Sequence, residues 1–509
     1  MIPDLSPMRF GGFLTAIPLP KVLDFDHYRG SAGNAFLCRV YWVLIFAVFL
    51  LFRASQLHAD VKDAKPLNVI VFLVDDLGWS DVGYNGSSLY ETPNIDSLAK
   101  RGAVFRNAYA ASPLCSPTRA ALLTGKSPAR LWLTNAIGSP NRKPAEVKLE
   151  TGQTLVTAIS RDALDPGELT IAARLRAAGY ATALNGKWHL GAQRNLPGHF
   201  GFTSNVAGNA LAHPYRYFSP YLNELLPDGP RGEYLTDRLT NEAVDFIRSH
   251  VDQRFFLYLP HFAVHFPWEG KEELVAKYQK KVRDGAPQNN PVYAAMVESV
   301  DQSLGRILAT LKETNLLDKT AIIFASDNGG VNIYYGGQYP RTATPPPRGT
   351  VITSNAPLRG GKGNLYEGGI RVPTIVYWPG VTRPGSVIDE PIVTMDFYPT
   401  ILAMAGLTRQ PGEAPEGINL EPLLARNETL GRGALYFHFP NGQRPASAIR
   451  KGKYKLIHYY SGKDELYDLE TDLGERSNLV QAQPEKVKEL REECLEYLRG
   501  IGGLFPSIR

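Results

Sequence analysis

Residues 68–74 read Asn-Val-Ile-Val-Phe-Leu-Val, an unbroken run of β-branched and other apolar side chains. Such a run predicts a central strand buried on both faces, because a strand with one wet face would alternate apolar with polar residues. Two acidic residues, Asp75 and Asp76, follow it directly. The predicted strand therefore delivers two carboxylates to one edge of a sheet.

Helical and strand-like segments alternate along the chain beyond this strand. A helix is predicted from Thr92-Pro93 through Ala99, since proline suits the first helical position and Gly102 stands just beyond the end. Further helices are predicted at 169–178, 236–249, 292–314 and 396–405, and further strands at 181–184, 255–259, 321–325 and 374–377. This alternation predicts an α/β fold with a large, mostly parallel sheet sandwiched by helices.

The sequence pattern changes at about residue 434. Strand-like pieces at 435–438, 455–460 and 465–468 are separated by turn residues, and a charged amphipathic helix follows at 484–499. These pieces predict a smaller C-terminal antiparallel sheet with one packing helix. The predicted organisation is a leader at 1–59, a large α/β domain at 60–433 and a small α+β subdomain at 434–509.

The leader has the pattern of a secretory signal. Arg39 precedes the apolar run 40–52, and Arg53 and a candidate cleavage site after Ala59 follow it. The run is shorter than the ~20 residues that span a bilayer, so we predict a cleaved signal and a secreted or periplasmic protein. An uncleaved membrane anchor is the alternative, and a membrane is a partner only in that case.

Composition excludes two classes of protein. Hydrophobic residues make up 44% and charged residues 21%, which argues against wholesale disorder. The formal net charge is only +5 and the chain has no basic tract, so no nucleic-acid partner is predicted.

Beyond the leader the cysteines are Cys115 and Cys494, for which a disulfide is the default expectation in an oxidising compartment. The sequence around Cys115 weighs against that default.

A second acidic cluster, Asp327-Asn328-Gly329-Gly330, follows the predicted strand at 321–325. Open α/β sheets bind ligands beyond the carboxyl ends of their strands, so this cluster and Asp75-Asp76 are expected to converge. Four oxygen-bearing side chains there suit a hard cation such as Ca²⁺ or Mg²⁺. Asp and Asn also begin turns, which would explain either cluster alone.

Cys115 is placed at the start of a predicted helix. Pro117 suits the first helical turn, and Gly125 suits the helix end. The amides and dipole of a helix N-terminus attract an anion. Arg119, one turn later on the same face, can hold an oxyanion through paired hydrogen bonds. These features predict a nucleophile that faces an anionic group, without distinguishing a thiolate from a modified residue.

The segment Cys115-Ser116-Pro117-Thr118-Arg119 resembles the Cys-x-Pro-x-Arg signature of the sulfatase family, within the alkaline phosphatase superfamily. The resemblance runs from Asn68 to about Tyr497. Its other segments are 120–125, Gly186-Lys187-Trp188-His189-Leu190-Gly191, His265-Phe266-Pro267, Asp327-Asn328-Gly329 and Gly360-Gly361-Lys362. Segments 260–268, 291–303 and 365–369 are similar to the branch that contains arylsulfatase A and N-acetylgalactosamine-6-sulfatase.

This resemblance implies a formylglycine-dependent enzyme. A separate formylglycine-generating enzyme would oxidise Cys115, which leaves Cys494 as an unpaired buried thiol. The aldehyde hydrate would attack sulfur, release the alcohol and hold a sulfate ester, which its second hydroxyl would then expel. Asp327 would be the base for the attacking hydroxyl. The implied ligands of one Ca²⁺ ion, besides the formylglycine at position 115, are Asp75, Asp76, Asp327 and Asn328.

The resemblance also implies roles for the remaining motif residues. Lys187 would stabilise the sulfate oxygens, and Arg119 would hold the hydrate and the metal-site carboxylates. His189 would take the proton that triggers sulfate release. His265 and Lys362 would surround the leaving oxygen, and one of them would donate a proton.

The leading hypothesis is a sulfuric-ester hydrolase that releases inorganic sulfate from sulfated carbohydrates or aryl sulfates. The alternatives are a phosphodiesterase or phosphonate monoester hydrolase of the same superfamily, and a non-catalytic binder of sulfated polysaccharide. Specificity loops are expected at 131–168, 193–231 and 331–357. Their aromatic residues, which either stack on sugars or pack their own loops, are Trp132, Tyr215, Tyr217, Tyr221, Tyr334 and Tyr335.

Overall fold

The computed structural model describes residues 66–138, 144–283, 285–334 and 349–509. The leader predicted at 1–59 lies outside these residues, so the signal and the exported location stay predictions. Within the described ranges, every helix falls short of the length and hydropathy that a membrane crossing requires.

Strands and helices of the described residues alternate much as the sequence pattern predicts. The strands are β1 Asn68–Val74, β2 Ala103–Phe105, β3 Ala108–Tyr109, β4 Glu146–Lys148, β5 Thr154–Val156, β6 Ala181–Asn185, β7 Ser204–Val206, β8 Phe255–Pro260, β9 Thr320–Ser326, β10 Thr374–Tyr377, β11 Ser386–Ile388, β12 Ile392–Val393, β13 Leu435–Phe439, β14 Ala446–Lys451, β15 Tyr454–Tyr459, β16 Asp464–Asp468 and β17 Ser507–Ile508. The α-helices are α1 Pro93–Arg101, α2 Cys115–Thr124, α3 Pro128–Leu131, α4 Ile171–Ala177, α5 Leu235–Ser249, α6 Glu272–Gln279, α7 Pro291–Glu313, α8 Glu367–Ile370, α9 Phe397–Met404, α10 Glu421–Arg426 and α11 Pro484–Gly500.

The main sheet has eight strands in the order β11-β2-β10-β9-β1-β8-β6-β7. β1 lies between β9 and β8 and is parallel to both, with Val74 opposite Ser326 and Leu73 opposite Pro260. β10 runs antiparallel to its neighbours β9 and β2, whereas the other pairs are parallel. The prediction of a large, mostly parallel sheet is confirmed.

β1 is buried on both faces, as its unbroken apolar run predicts. Ile70 and Phe72 belong to a core cluster that includes residues of α1, α5 and α7. Val69 and Val71 belong to a second cluster, with residues of α2, α4 and α9. Successive strand side chains point to opposite faces, so the two clusters are the two sides of a helix–sheet–helix sandwich.

A separate antiparallel sheet, in the order β13-β14-β15-β16, forms the C-terminal part and confirms the predicted second sheet. Leu490 and Leu498 of α11 pack on it against Ile449 and Leu456. The sequence pattern does not predict β14, because Ala-Ser-Ala-Ile-Arg-Lys has little apolar alternation; β14 is held instead by pairing with both β13 and β15. The domain boundary at 434 stays a prediction, and β17 pairs with β5 of the larger part.

Candidate active site

The two acidic clusters meet where β1 and β9 end. Since Val74 lies opposite Ser326, Asp75 and Asp76 emerge beside Asp327 and Asn328. The Asp76 amide donates to Asp327 Oδ1 at 3.2 Å, and Asn328 Nδ2 donates to Asp76 Oδ1 at 2.8 Å. All four side chains are buried. The expected convergence of these residues is therefore what the strand register produces.

Cys115 is the first residue of α2, which ends at Gly125 in a left-handed conformation. Its thiol is buried and donates to Asp75 Oδ1 at 3.4 Å. Burial, aided by the nearby charge of Asp75, raises the pKa of Cys115 to about 12. Placement at a helix N-terminus therefore does not make the unmodified side chain a ready thiolate.

Arg119 joins three of the sequence motifs. Its Nε and Nη2 lie 2.9 and 2.7 Å from Asp327 Oδ2, and its Nη1 donates to the Lys187 carbonyl at 2.7 Å. Its Nη2 also lies 3.8 Å from Asp75 Oδ1. The guanidinium is fully buried, and its hydrogen bonds hold the carboxylates in fixed positions.

Lys187, just beyond the end of β6, reaches one of these carboxylates, that of Asp75. Its Nζ lies 2.5 Å from Asp75 Oδ2, and its amide donates to the Pro260 carbonyl at 2.7 Å. Gly186 makes this turn possible: its φ is 130°, and a Cβ there would lie 2.1 Å from the Pro260 oxygen. A glycine is needed because both the dihedral angle and the contact exclude a side chain.

Gly186→Ala is therefore expected to lower the free energy of unfolding by about 2–4 kcal/mol, since strain and displacement of Pro260 add. It should also lower kcat at least about tenfold by moving Lys187. Denaturant unfolding and initial rates measure the two effects. Gly179 is the matched control: its φ is 87° but nothing lies within 4 Å of its Cβ position. Gly179→Ala should keep full activity; equal kcat losses in both variants would contradict the role of the Pro260 contact.

His189 is buried and held by one ring nitrogen. Its Nε2 donates to the Ile137 carbonyl at 2.8 Å, and its Nδ1 finds no hydrogen-bond partner among the described residues. Burial, together with the charge of Lys187, holds the pKa of His189 well below its usual range. The ring is therefore neutral and presents an unprotonated Nδ1, as a proton acceptor requires.

His265 and Lys362 both face Asp76. Lys362 Nζ lies 2.7 and 2.8 Å from the two carboxylate oxygens, and His265 Nε2 lies 3.5 Å from Oδ2. Burial alone would raise the pKa of Asp76, but the charges of Lys362, His265 and Lys187 outweigh it and hold that pKa well below its usual range. Burial keeps the pKa of His265 well below its usual range, whereas Asp76 outweighs burial and raises that of Lys362.

The donor atoms fit a hard cation. Donor atoms of Asp75, Asp76, Cys115 and His265 lie within 4.8 Å of one another. Asn328 Oδ1 is a buried acceptor with no hydrogen-bond partner among the described residues, and an oxygen ligand of Ca²⁺ needs such a free acceptor. Asp327 turns its oxygens to the Asp76 amide and to Arg119. Its role as a ligand, like the roles of the other site residues, stays a prediction.

Two aromatic residues of the predicted specificity loops are structural. Tyr217 is fully buried and donates from its hydroxyl to the carbonyls of Phe262 and His265, at 2.7 and 2.8 Å. It therefore holds the segment that carries His265 instead of stacking on a sugar. Tyr221 is also buried. The exposed members of the set are Trp132, Tyr215 and Tyr334, and Tyr335 lies outside the described residues.

Two further residues are placed away from reacting atoms. His261 is a core residue whose Nε2 lies 2.9 Å from Ser303 Oγ, and burial lowers its pKa to about 3. Cys115 and Cys494 are both buried and free, so the expectation of an unpaired Cys494 is confirmed and the default disulfide is wrong. Cys494 packs in the core between α11 and the C-terminal sheet.

A cavity of about 1200 Å³ opens beside the predicted specificity loop at 193–231. Arg216 and Arg231 from this loop line it, together with the aromatic rings of Phe218 and Tyr234. The acidic side chains of the wall (Glu233, Asp237, Glu269, Glu272 and Glu273) outnumber the basic ones (Arg216, Arg231 and Lys271), so the wall carries no net positive charge that would attract an anionic sugar chain.

Known proteins resemble this chain over most of its length. The family model described as Sulfatase matches residues 67–407, and that described as N-sulphoglucosamine sulphohydrolase, C-terminal, matches 361–500. N-acetylgalactosamine-6-sulfatase of Homo sapiens is 33% identical over 398 residues, which are 73% of this chain and 68% of that protein. A protein named Sulfatase from Formosa agariphila is 31% identical over 523 residues, covering 87% of this chain and 89% of the relative. The crystal structure of Ps i-CgsB in complex with k-i-k-neocarrahexaose has a TM-score of 0.70 at 28% identity, covering 85% of this chain and 93% of that one.

Proposed function

This chain belongs to the sulfatase family of sulfuric-ester hydrolases, and we propose that it releases inorganic sulfate from sulfated carbohydrates with Ca²⁺ and a formylglycine made from Cys115. The observation that carries the proposal is one buried cluster of a helix-initiating cysteine, acidic side chains and cations. Its members within direct contact are Cys115, Asp75, Asp76, Lys187 and Lys362.

The nucleophile requires chemistry that the unmodified thiol does not offer. Burial keeps the thiol protonated, with the pKa of Cys115 raised to about 12. A formylglycine hydrate at this position would supply one hydroxyl that attacks sulfur and a second whose deprotonation expels sulfate. A separate formylglycine-generating enzyme is the maturation partner that this proposal requires.

A cation held by the acidic cluster would offset the charge of the sulfate oxygens and polarise them. Asp75, Asp76, Asp327 and Asn328 are the residues proposed to hold it, as one Ca²⁺ ion. Lys187 contacts Asp75 and Arg119 contacts Asp327, so the two cations hold these carboxylates in place. The cluster is thus ordered before substrate arrives, which is how electrostatic stabilisation is most effective.

Proton movements are assigned to the remaining groups. Burial, aided by the charge of Asp75 and opposed by Arg119, raises the pKa of Asp327, which suits a base for the attacking hydroxyl. His189 accepts the proton whose loss expels sulfate, since its Nδ1 is unprotonated and without a partner among the described residues. In the resting site Lys362 is an ammonium group, because Asp76 raises its pKa, and either Lys362 or His265 donates a proton to the leaving oxygen.

Sulfated carbohydrate is the proposed substrate class. The relative named N-acetylgalactosamine-6-sulfatase and the neocarrahexaose complex of Ps i-CgsB support a sugar substrate. Export through the predicted signal would place the enzyme in the periplasm or outside the cell.

Parallel hydrolysis assays test the function directly. Residues 60–509 are co-expressed with a formylglycine-generating enzyme, and sulfate, phosphate and phosphonate esters are offered to the product. We expect a tryptic peptide about 18 Da lighter than its cysteine form, as cysteine oxidation to formylglycine requires, and preferential release of sulfate. Cleavage of phosphate or phosphonate esters alone would show that the protein is instead a phosphodiesterase or phosphonate monoester hydrolase. Binding of sulfated polysaccharide without cleavage of any sulfated sugar would favour the binder.

A further inference from the structure

A second group of buried charges lies apart from the catalytic cluster, where the large part of the chain meets the C-terminal sheet. Lys455 of β15 donates to Glu367 Oε1 at 2.8 Å and lies 2.9 Å from Glu475 Oε1. All three side chains are fully buried. Arg371 Nε adds a bond to Glu367 Oε2 at 2.7 Å. Burying such a group of charges costs free energy of desolvation, so a contribution to stability does not by itself account for it.

Glu367 belongs to the segment 359–371 that carries Lys362. Its amide, at the start of α8, donates to Glu475 Oε2 at 2.7 Å. The next residues bond back to the site: Gly368 N donates to the Arg359 carbonyl at 2.8 Å, and the Gly369 carbonyl accepts from Gly329 N at 3.0 Å. Through Glu367, the C-terminal residues Lys455 and Glu475 therefore hold the segment that carries Lys362.

The same group contacts the segment that leads to Cys115. The Tyr109 hydroxyl, at the end of β3, donates to Glu367 Oε2 at 2.8 Å, and Arg450 of β14 donates to that hydroxyl at 2.5 Å. Beside it, Ala110 N donates to the Ile370 carbonyl at 2.8 Å. One carboxylate thus links the approach to the nucleophile, the Lys362 segment and the C-terminal sheet.

We propose that Lys455 and Glu475 are positioning residues of the sulfatase reaction: by clamping Glu367, the C-terminal sheet fixes Lys362 beside the leaving oxygen. This inference rests on the proposed function, in which Lys362 acts at that oxygen. Poor leaving groups depend most on such assistance, whereas an aryl oxide leaves with little help. A loosened clamp therefore damages hydrolysis of a sugar sulfate more than hydrolysis of an aryl sulfate.

Variants of the full-length, matured protein separate an effect on the position of Lys362 from an effect on folding. Lys455→Met removes the shared cation, Glu475→Gln removes one carboxylate, and the double variant restores the charge balance. We expect Lys455→Met to lose about 10–100-fold in kcat on a sulfated sugar, as small misplacements do, but only about threefold on 4-nitrophenyl sulfate. The double variant should recover none of this difference, because restoring the charge balance does not restore the Lys455 bond to Glu367. Lys453→Met is the matched control, because half-buried Lys453, in the turn before β15, pairs with Asp468 at 2.6 Å and does not touch Glu367.

Hydrogen–deuterium exchange supplies a readout independent of turnover. Peptides covering 359–371 should exchange faster in Lys455→Met than in wild type or Lys453→Met. Equal losses on both substrates with unchanged exchange in these peptides would overturn the proposal, and so would full activity of Lys455→Met. If Lys455→Met does not fold, Glu475→Gln decides by the same two readouts. A wild-type protein that cleaves no sulfate ester would refute the proposed function, while the exchange data would still decide whether the clamp holds this segment.

Discussion

Replacing Cys115 by alanine is expected to abolish sulfate release, by about 10⁴-fold or more, the size of effect that follows removal of a covalent nucleophile. The fold should survive, because alanine suits a helix and the thiol makes a single 3.4 Å hydrogen bond, to Asp75. Initial rates on a sulfate ester and thermal unfolding measure the two parts. The remaining cations would still bind the anion, so loss of kcat should exceed any change in binding.

Cys494→Ala is the matched control, since Cys494 is the other buried free thiol and lies in the C-terminal core. It should retain the wild-type kcat. Cys115→Ser tests the need for two hydroxyls: a serine oxygen can accept one sulfo group but has no second hydroxyl to expel it. That variant is expected to stop after at most one turnover. Multiple turnovers by Cys115→Ala would contradict the assignment of position 115 as nucleophile.

The main sheet was predictable because its strongest signals are local. The run Asn68–Val74 and the apolar run that became β9 are buried on both faces, so their sequences contain no competing pattern. β2 and β11 were not predictable in this way, because each has three residues and is defined by its partners. The reversal of β10 likewise follows from tertiary pairing and leaves no mark in its own four residues.

The site was predictable where its functional residues are adjacent in the sequence and form short motifs. Asp75-Asp76 and Asp327-Asn328 follow strands that pair in parallel, so their meeting follows from topology. The function of Tyr217 was not predictable, because its hydroxyl bonds to the backbone near His265, 48 residues away. The clamp joins Lys455 to Glu367, 88 positions apart in the sequence. From sequence alone, an isolated lysine in a C-terminal strand is expected to be a solvent-exposed charge. Long-range burial decides such cases, and a single sequence does not contain it.

Removal of divalent cations is expected to have the second large effect, lowering kcat about 10³-fold, because a bound metal contributes several kcal/mol to charge stabilisation. Three carboxylates, of Asp75, Asp76 and Asp327, are balanced by the cations in contact with them, Arg119, Lys187 and Lys362. A divalent cation would make this balanced cluster positive, as an anionic sulfate ester requires. Chelation followed by addition of Ca²⁺ should restore the rate.

The stability of the protein should follow the same ion. Ca²⁺ at about 100 times its Kd adds about 2.7 kcal/mol to the free energy of unfolding if the unfolded chain does not bind it. Asp76→Asn should weaken both the activation and the thermal shift. Asp81→Asn is the control, because Asp81 is a buried carboxylate that accepts from Tyr293, Thr353 and Gly78 and has its pKa raised to about 6 by burial. It should lose stability yet keep the full Ca²⁺ response. An undiminished Ca²⁺ response in Asp76→Asn would place the ion outside this cluster. Stabilisation of the reaction at position 115 would then depend on the cations Arg119, Lys187 and Lys362 without the metal.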